Sequence, residues 1–314
     1  MTGKEPLLIV AGPTASGKSG LALALAAEFN GTVINADSMQ VYGGLEILTA
    51  QPDAAARARV PHALYGVLDL ATPASAGKWR SMAQEAIAQS RSAGRLPILV
   101  GGTGLYIRAL LQGIAPIPAV PAAIRDAARV LHTALGGPAF RARLAQRDPE
   151  GAARLNPGDT QRLIRTYEVV EATGKPLSYW QAQQAEGGDS ASRPFVLTVM
   201  PSRPDLHKAI NERFLRMVDR GALDEVRAVL VRNLDPMLPG MKALGLPELR
   251  QHLGGTISLA QAVELAKAST RQYAKRQATW FRHQLPPDYL LNAQFSERLL
   301  PEIFSIIRQF LLTP

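Results

Sequence analysis

The 314-residue chain contains no cysteine. That excludes disulfides, thiolate nucleophiles and cysteine-held zinc, and it fits a cytoplasmic protein, a compartment in which disulfides are rare. The five histidines, His62, His132, His207, His252 and His283, are scattered. No two of them stand at the spacing that would bring a pair onto one metal ion. No apolar run approaches the ~20 residues a membrane span requires. The run Leu7 to Ala11 is too short for a secretory leader and feeds straight into a glycine loop, so no leader is expected. Acids are also in deficit: 26 Asp and Glu face 35 Lys and Arg, for a net charge of +9. Such a balance favours acidic partners, nucleic acid first. The stretch Lys267–His283 holds Lys267, Arg271, Lys275, Arg276 and Arg282 without a single acid, and so supplies five of those nine charges.

What is present begins at Leu7–Ser19, LLIVAGPTASGKS. A short apolar strand leads into Gly12, Pro13, Thr14, Ala15, Ser16, Gly17, Lys18 and Ser19, the G-x-x-x-x-G-K-S pattern of a P-loop. Glycines at both ends of the loop let successive N–H groups turn inward around a di- or triphosphate. A helix expected over Gly20–Phe29 points its positive end at the same spot. Lys18 adds a cation for phosphate oxygens, and the Ser19 hydroxyl is placed to ligate Mg²⁺.

Further strands are expected at Thr32–Ala36, Ala63–Leu70, Leu96–Val100 and Phe195–Met200, interleaved with helices. The pattern implies an α/β fold, a P-loop NTPase-like parallel sheet flanked by helices. In such sheets ligands gather beyond the strands' carboxyl ends. Asp37, just after Thr32–Ala36, belongs to that rim or else caps the next turn. Leu96–Val100 ends in Gly101-Gly102-Thr103-Gly104, a second rim loop with one hydroxyl. No strand there ends in a Walker B aspartate, which argues against a hydrolytic ATPase.

Pro116, Pro118 and Pro121 mark a linker. Helices are expected over Ala122–Leu135, Ala139–Gln146 and Thr160–Ala172, so residues 116–194 form an inserted helical domain between core segments 1–115 and 195–314. Arg162 and Arg165 share one face of the third helix, as RNA contacts or as a solvated face. Ser258 and Gln261 form a capping box for a long helix that runs to about His283. On it Lys267, Arg271, Lys275 and Arg282 form a stripe, with Tyr273, Trp280 and Phe281 elsewhere on the helix. A cationic stripe of this kind suits a polyanion backbone, with Arg271 and Lys275 as the phosphate contacts.

Taken in order, GPTASGKS at Gly12–Ser19, NADSMQVY at Asn35–Tyr42, LVGGTGLYIRALLQG at Leu99–Gly113, DPEGAARLNPGDTQRLIRTYEVVEATGKPLS at Asp148–Ser178 and TRQYAKRQATWFR at Thr270–Arg282 resemble the tRNA dimethylallyltransferases. The likeness spans most of the chain. It implies a P-loop core with an inserted helical domain, Mg²⁺, and dimethylallyl diphosphate as donor. The acceptor it implies is N6 of the adenosine just 3′ of the anticodon, in tRNAs reading codons that begin with U. It implies tRNA contacts from Asp37, Ser38, Met39 and Gln40, from Thr103 and Arg125, and from Gln161, Arg162, Leu163, Ile164 and Arg165. The chain departs from the family pattern at Gly240–Leu249, after Tyr42, and at His62-Ala63. The first two departures are where tRNA contacts would change.

The residues suit that chemistry. A P-loop meets the charge that develops on a leaving diphosphate with fixed donors. The acceptor amine is a poor nucleophile, because its lone pair is delocalised into the purine. A carboxylate that takes its proton would help, and Asp37 is on the right rim. Thr103 can bond the base or the Asp37 side of the site. The adenine has to leave the anticodon-loop stack, which a single-stranded loop permits at low cost. A small-molecule P-loop kinase is the alternative. It shares the loop and takes ATP as donor, but it has no use for the basic helix or the helical insertion.

Overall fold

The computed structural model describes residues 4–183 and 185–313. In chain order its strands and α-helices are β1 (Glu5–Ala11), α1 (Lys18–Glu28), β2 (Gly31–Asn35), α2 (Ala54–Arg59), β3 (His62–Ala63), α3 (Ala76–Ser92), β4 (Leu96–Gly101) and α4 (Gly104–Gln112). Then come α5 (Ala122–Ala145), α6 (Pro149–Arg154), α7 (Thr160–Thr173), α8 (Leu177–Gln181), β5 (Ser192–Val199), α9 (Arg203–Asp219) and α10 (Ala222–Val231). The chain finishes with α11 (Leu246–Leu253), α12 (Leu259–Gln284), β6 (Tyr289–Leu291) and α13 (Leu300–Leu312).

Contacts divide the chain into two units, Gln112–Gly188 and everything else. The larger unit is built on one six-stranded sheet in the order β3-β2-β4-β1-β5-β6, in which each adjacent pair runs parallel. Parallel sheets are covered on both faces, and β1 shows how. Leu7, Ile9 and Ala11 point into a core shared with α3, α4 and α9–α12, whereas Leu8 and Val10 point into a second core with α1 and α13. The two-residue period of a strand thus sorts one apolar run into two layers.

The expected strand Ala63–Leu70 shrinks to His62–Ala63. Beyond it the chain leaves the sheet, and Leu68 forms only an isolated bridge to Tyr42. β5 begins at Ser192, so residues 192–194 belong to the sheet rather than to the insertion. β6 and α13 complete the sheet edge and the second layer. Both lie in a stretch for which the sequence reading named no element.

The smaller unit packs Ala128, Phe140, Leu144, Ala152, Leu163, Tyr167 and Val170 into a core of its own. Its α5 runs as two pieces about Gly136, whose φ of 72° is left-handed. Asp159 caps α7 by accepting the Arg162 N–H, and Gly174 ends it at φ 67°.

Candidate active site

The carboxyl ends of β2, β4 and β1 are neighbours in the sheet, so Asp37, the Gly101–Gly104 loop and the P-loop share one rim. Local bonds lock them together. The Ala36 N–H donates to Val100 O at 2.8 Å, and the Thr103 N–H donates to Ala36 O at 3.2 Å. Thr103 Oγ1 accepts the Ser38 N–H at 2.9 Å and lies 3.3 Å from Ser38 Oγ. Tyr273 of α12 also hydrogen-bonds Thr103 through its hydroxyl, which burial and the nearby Asp37 charge hold protonated. Asp37 Oδ1 accepts the Met39 N–H at 3.0 Å, so the carboxylate is oriented by its own turn.

In the P-loop, Gly17 takes a φ of 89°, a left-handed conformation that opens the loop into α1. Thr14, Ala15, Gly17, Lys18 and Ser19 line a cavity of about 310 Å³ together with Asp37, Gln40, Arg213, Arg216 and Gln294. Gly12, Pro13 and Ser16 of the same loop are buried. They give the loop its shape: Pro13 O accepts from Lys18 Nζ at 3.2 Å and from the Ser16 N–H at 3.3 Å. Enclosure of the Lys18 ammonium pushes its pKa down to about 8, with Asp37 opposing that shift and Arg213 adding to it.

Arg213 was not legible as a site residue. It rides on α9, its Nη2 donates to Thr14 Oγ1 at 2.6 Å, and burial draws its pKa down to about 10. A second, smaller cavity shares Thr14, Asp37, Thr49 and Arg213 with the first. Its other walls are largely apolar: Met39, Leu48, Phe214, Met217 and Leu244, with Thr270 and Tyr273. Leu244 comes from the Gly240–Leu249 segment that departs from the family pattern. The flanking Met241, Ala243, Leu246 and Leu249 are core residues. Asp37 therefore stands where a cationic cavity meets a small cleft walled on one side by apolar side chains.

The basic helix needs one correction. Lys267 is buried and paired with Glu264 at 2.8 Å, so it does not belong to a solvated stripe. Arg271, Lys275 and Arg282 remain. They line a groove of about 560 Å³ with Arg203 and His207 of α9. Arg271 also donates to Asn211 Oδ1 at 2.8 Å. Burial, and after it the charges of Arg203 and Arg271, hold the His207 imidazole below its ordinary pKa.

In the smaller unit, Arg125, Gln161, Arg162 and Arg165 are exposed and Ile164 is half-buried. Leu163 has no exposed surface, so its side chain serves the core and is withdrawn as an RNA contact. Arg165 pairs with the buried Glu168 at 3.6 Å and Arg162 with Asp159 at 3.3 Å.

A family model described as IPP transferase matches residues 40–284. A tRNA dimethylallyltransferase of Rhodospirillum centenum is 53% identical over 285 residues, 91% of each chain. The chain belongs to the IPP transferase family of tRNA dimethylallyltransferases. A second relative under that name, from Rhodospirillum rubrum, is 50% identical over 315 residues, covering 99% of this chain and 97% of its own. Solved structures agree with this assignment. The tRNA isopentenylpyrophosphate transferase of Bacillus halodurans superposes with a TM-score of 0.70 at 31% identity, over 98% of this chain and 97% of the other. A eukaryotic dimethylallyltransferase acting on tRNA superposes with a TM-score of 0.77 at 27% identity, over 97% of this chain and 80% of the other. The kinase alternative finds no support among these relatives. Among the described residues, no helix of the enzyme is long and apolar enough to cross a membrane.

Proposed function

We propose that the enzyme transfers the dimethylallyl group of dimethylallyl diphosphate to N6 of the adenosine immediately 3′ of the anticodon in tRNAs that read codons beginning with U. The observation that carries this reading is the position of Asp37 between two cavities. The cationic one suits a diphosphate, and the second, a cleft of about 50 Å³, sets the apolar side chains of Met39, Leu48, Phe214, Met217 and Leu244 beside it, where an allylic tail would lie. An ATP γ-phosphate would have no use for the second. Lys18, Arg213 and the P-loop N–H groups hold the leaving diphosphate as the C–O bond breaks, and act as fixed donors to its growing charge. Asp37 accepts the proton of the adenine amine as the C–N bond forms. Thr103, held by Ser38 and Tyr273, orients the base. Met39, Leu48, Phe214 and Leu244 keep water from the allylic fragment.

The residues also fit Mg²⁺. Ser19 and Asp37 offer oxygen donors in one cavity, and among the described residues no group of three or more His, Cys, Asp or Glu forms a protein cage. That suits an ion held through one or two protein oxygens and its substrate's phosphates. Ser19 would hold the ion, which when bound neutralises charge on the diphosphate. On the larger unit the Arg271–Lys275 face takes RNA phosphates; on the inserted unit, considered by itself, Arg125, Gln161, Arg162 and Arg165 are the exposed side chains offered to tRNA. We place the enzyme in the cytoplasm, a reading supported by its cysteine-free composition, and take it to act as a monomer.

The test is incubation of unmodified tRNA with prenyl-labelled dimethylallyl diphosphate or with γ-labelled ATP, followed by nucleoside analysis. Label appears in N6-dimethylallyladenosine from the first donor only. Label transferred from ATP, or none in the RNA from either donor, overturns the reading.

A further inference from the structure

Gln277 lies in the middle of α12 and is 5% exposed, although its helix neighbours Lys275 and Arg276 face solvent. Its amide is used at both ends. Oε1 accepts the Thr14 N–H of the P-loop at 2.8 Å, and Nε2 donates to Gly102 O of the second rim loop at 2.8 Å. The partners fix which end is which, because an N–H can only donate and a carbonyl can only accept. The approach is close enough that a Cβ on Gly102 would fall 2.1 Å from Nε2.

Each partner leads to one substrate. Thr14 carries the Oγ1 that receives Arg213, on the diphosphate side. Gly102 precedes Thr103, which receives the Ser38 N–H beside Asp37, on the acceptor side. We propose that Gln277 is a positioning residue that holds the donor cradle and the acceptor-orienting loop at a fixed separation, a role that rests on the prenyl-transfer reading above. Only an amide of this length serves. Glutamate lacks the donor for Gly102 O, and methionine leaves both Thr14 N–H and Gly102 O without their partner. The consequence falls on register rather than on affinity, since each half-site keeps its own ligand contacts. A misplacement near 1 Å costs on the order of 10²-fold in rate.

The test compares wild type, Gln277→Met and Gln277→Glu in steady-state turnover with dimethylallyl diphosphate and unmodified tRNA. Thermal unfolding sets aside any variant that does not fold, and the near-isosteric Gln277→Glu guards against loss of Gln277→Met. The expected result is a fall in kcat of about 10²-fold, with KM for each substrate within about threefold of wild type. Diphosphate released per prenyl group transferred rises above one, as water forms the C–O bond in place of the amine's C–N bond and gives its proton to solvent. A folded variant with wild-type kcat and one-to-one release overturns the proposal, as does a loss confined to donor KM. A wild-type enzyme that transfers no prenyl group overturns the functional reading itself, and this inference with it.

Discussion

Asn35 grips the main chain of Asp37 from both sides. Its Oδ1 accepts the Asp37 N–H at 2.8 Å, and its Nδ2 donates to the Asp37 carbonyl at 3.0 Å. The same Nδ2 reaches Leu64 O at 3.0 Å, and the Asn35 carbonyl accepts from Trp79 Nε1 at 2.9 Å. Trp79 in turn stacks on Tyr106 at 4.6 Å. A fully buried amide therefore fixes the backbone that presents the proposed base, and an aromatic pair holds the main chain from which that amide projects. Replacing Asn35 by Ala is expected to cost about 1–3 kcal/mol of stability, since buried backbone groups lose their partners. It should also lower the prenyl-transfer rate of the folded fraction by about 10²-fold through misplacement of Asp37. Denaturant titration and single-turnover kinetics on the same preparation check both.

Lys18 gives a pH signature. With its pKa near 8 rather than the ordinary 10.5, the free enzyme loses this cation as pH rises through 8. The kcat/KM for dimethylallyl diphosphate should therefore fall between pH 8 and 9, while tRNA binding holds. The effect on stability has the opposite sign. Between pH 8 and 10.5 the unfolded chain binds the extra proton, so this group makes the unliganded fold more stable as pH rises. Lys18→Ala should turn over about 10²–10³-fold more slowly and lose the alkaline limb that Lys18 contributes. A pH–rate profile for both proteins decides this.

Arg213 should behave as a donor-side residue. Arg213→Gln removes the cation yet keeps a group able to bond Thr14 Oγ1. We expect kcat/KM for the donor to fall by about 10²–10³-fold, as when other fixed electrostatic donors are removed, with tRNA affinity unchanged. Titration of each substrate separately measures the two.

The basic groove separates exposed charge from buried charge. Arg271→Ala with Lys275→Ala should weaken tRNA binding and make log K against log salt shallower by about one to two units. Lys267→Ala should leave that slope alone, because its ammonium is turned to Glu264. Binding isotherms at four salt concentrations distinguish the two variants.

These residues also show what a sequence can and cannot disclose. The P-loop, Asp37 and the Gly101–Gly104 loop were legible because each follows directly on an apolar strand, and parallel strands put such ends on one rim. Arg213 was not, because it sits in an amphipathic helix between Glu212 and Arg216 and reads as one more solvated cation. Folding brings it to Thr14 across 199 positions. Gln277 was hidden for a related reason: a neutral residue in a cationic helix carries no signal until its two partners are known. Lys267 misled through helical spacing, which assigns a face but cannot tell whether Glu264 and the core have claimed it. β3 was overread because Ala63–Leu70 is apolar enough for a strand but is spent on covering the core. Tyr289–Leu291 was missed because a three-residue edge strand after two prolines shows no alternation.

The general-base role proposed for Asp37 is tested most directly by single-turnover prenyl transfer with Asp37→Asn across a Mg²⁺ series, with donor binding measured in parallel. The amide keeps the shape and one acceptor oxygen but cannot take the proton. The expected result is a rate lower by about 10²–10⁴-fold at every Mg²⁺ concentration, with donor affinity held and tRNA affinity reduced less than the rate. A rate restored by added Mg²⁺, together with weakened donor binding, would contradict the assignment and make Asp37 a residue that arranges the ion.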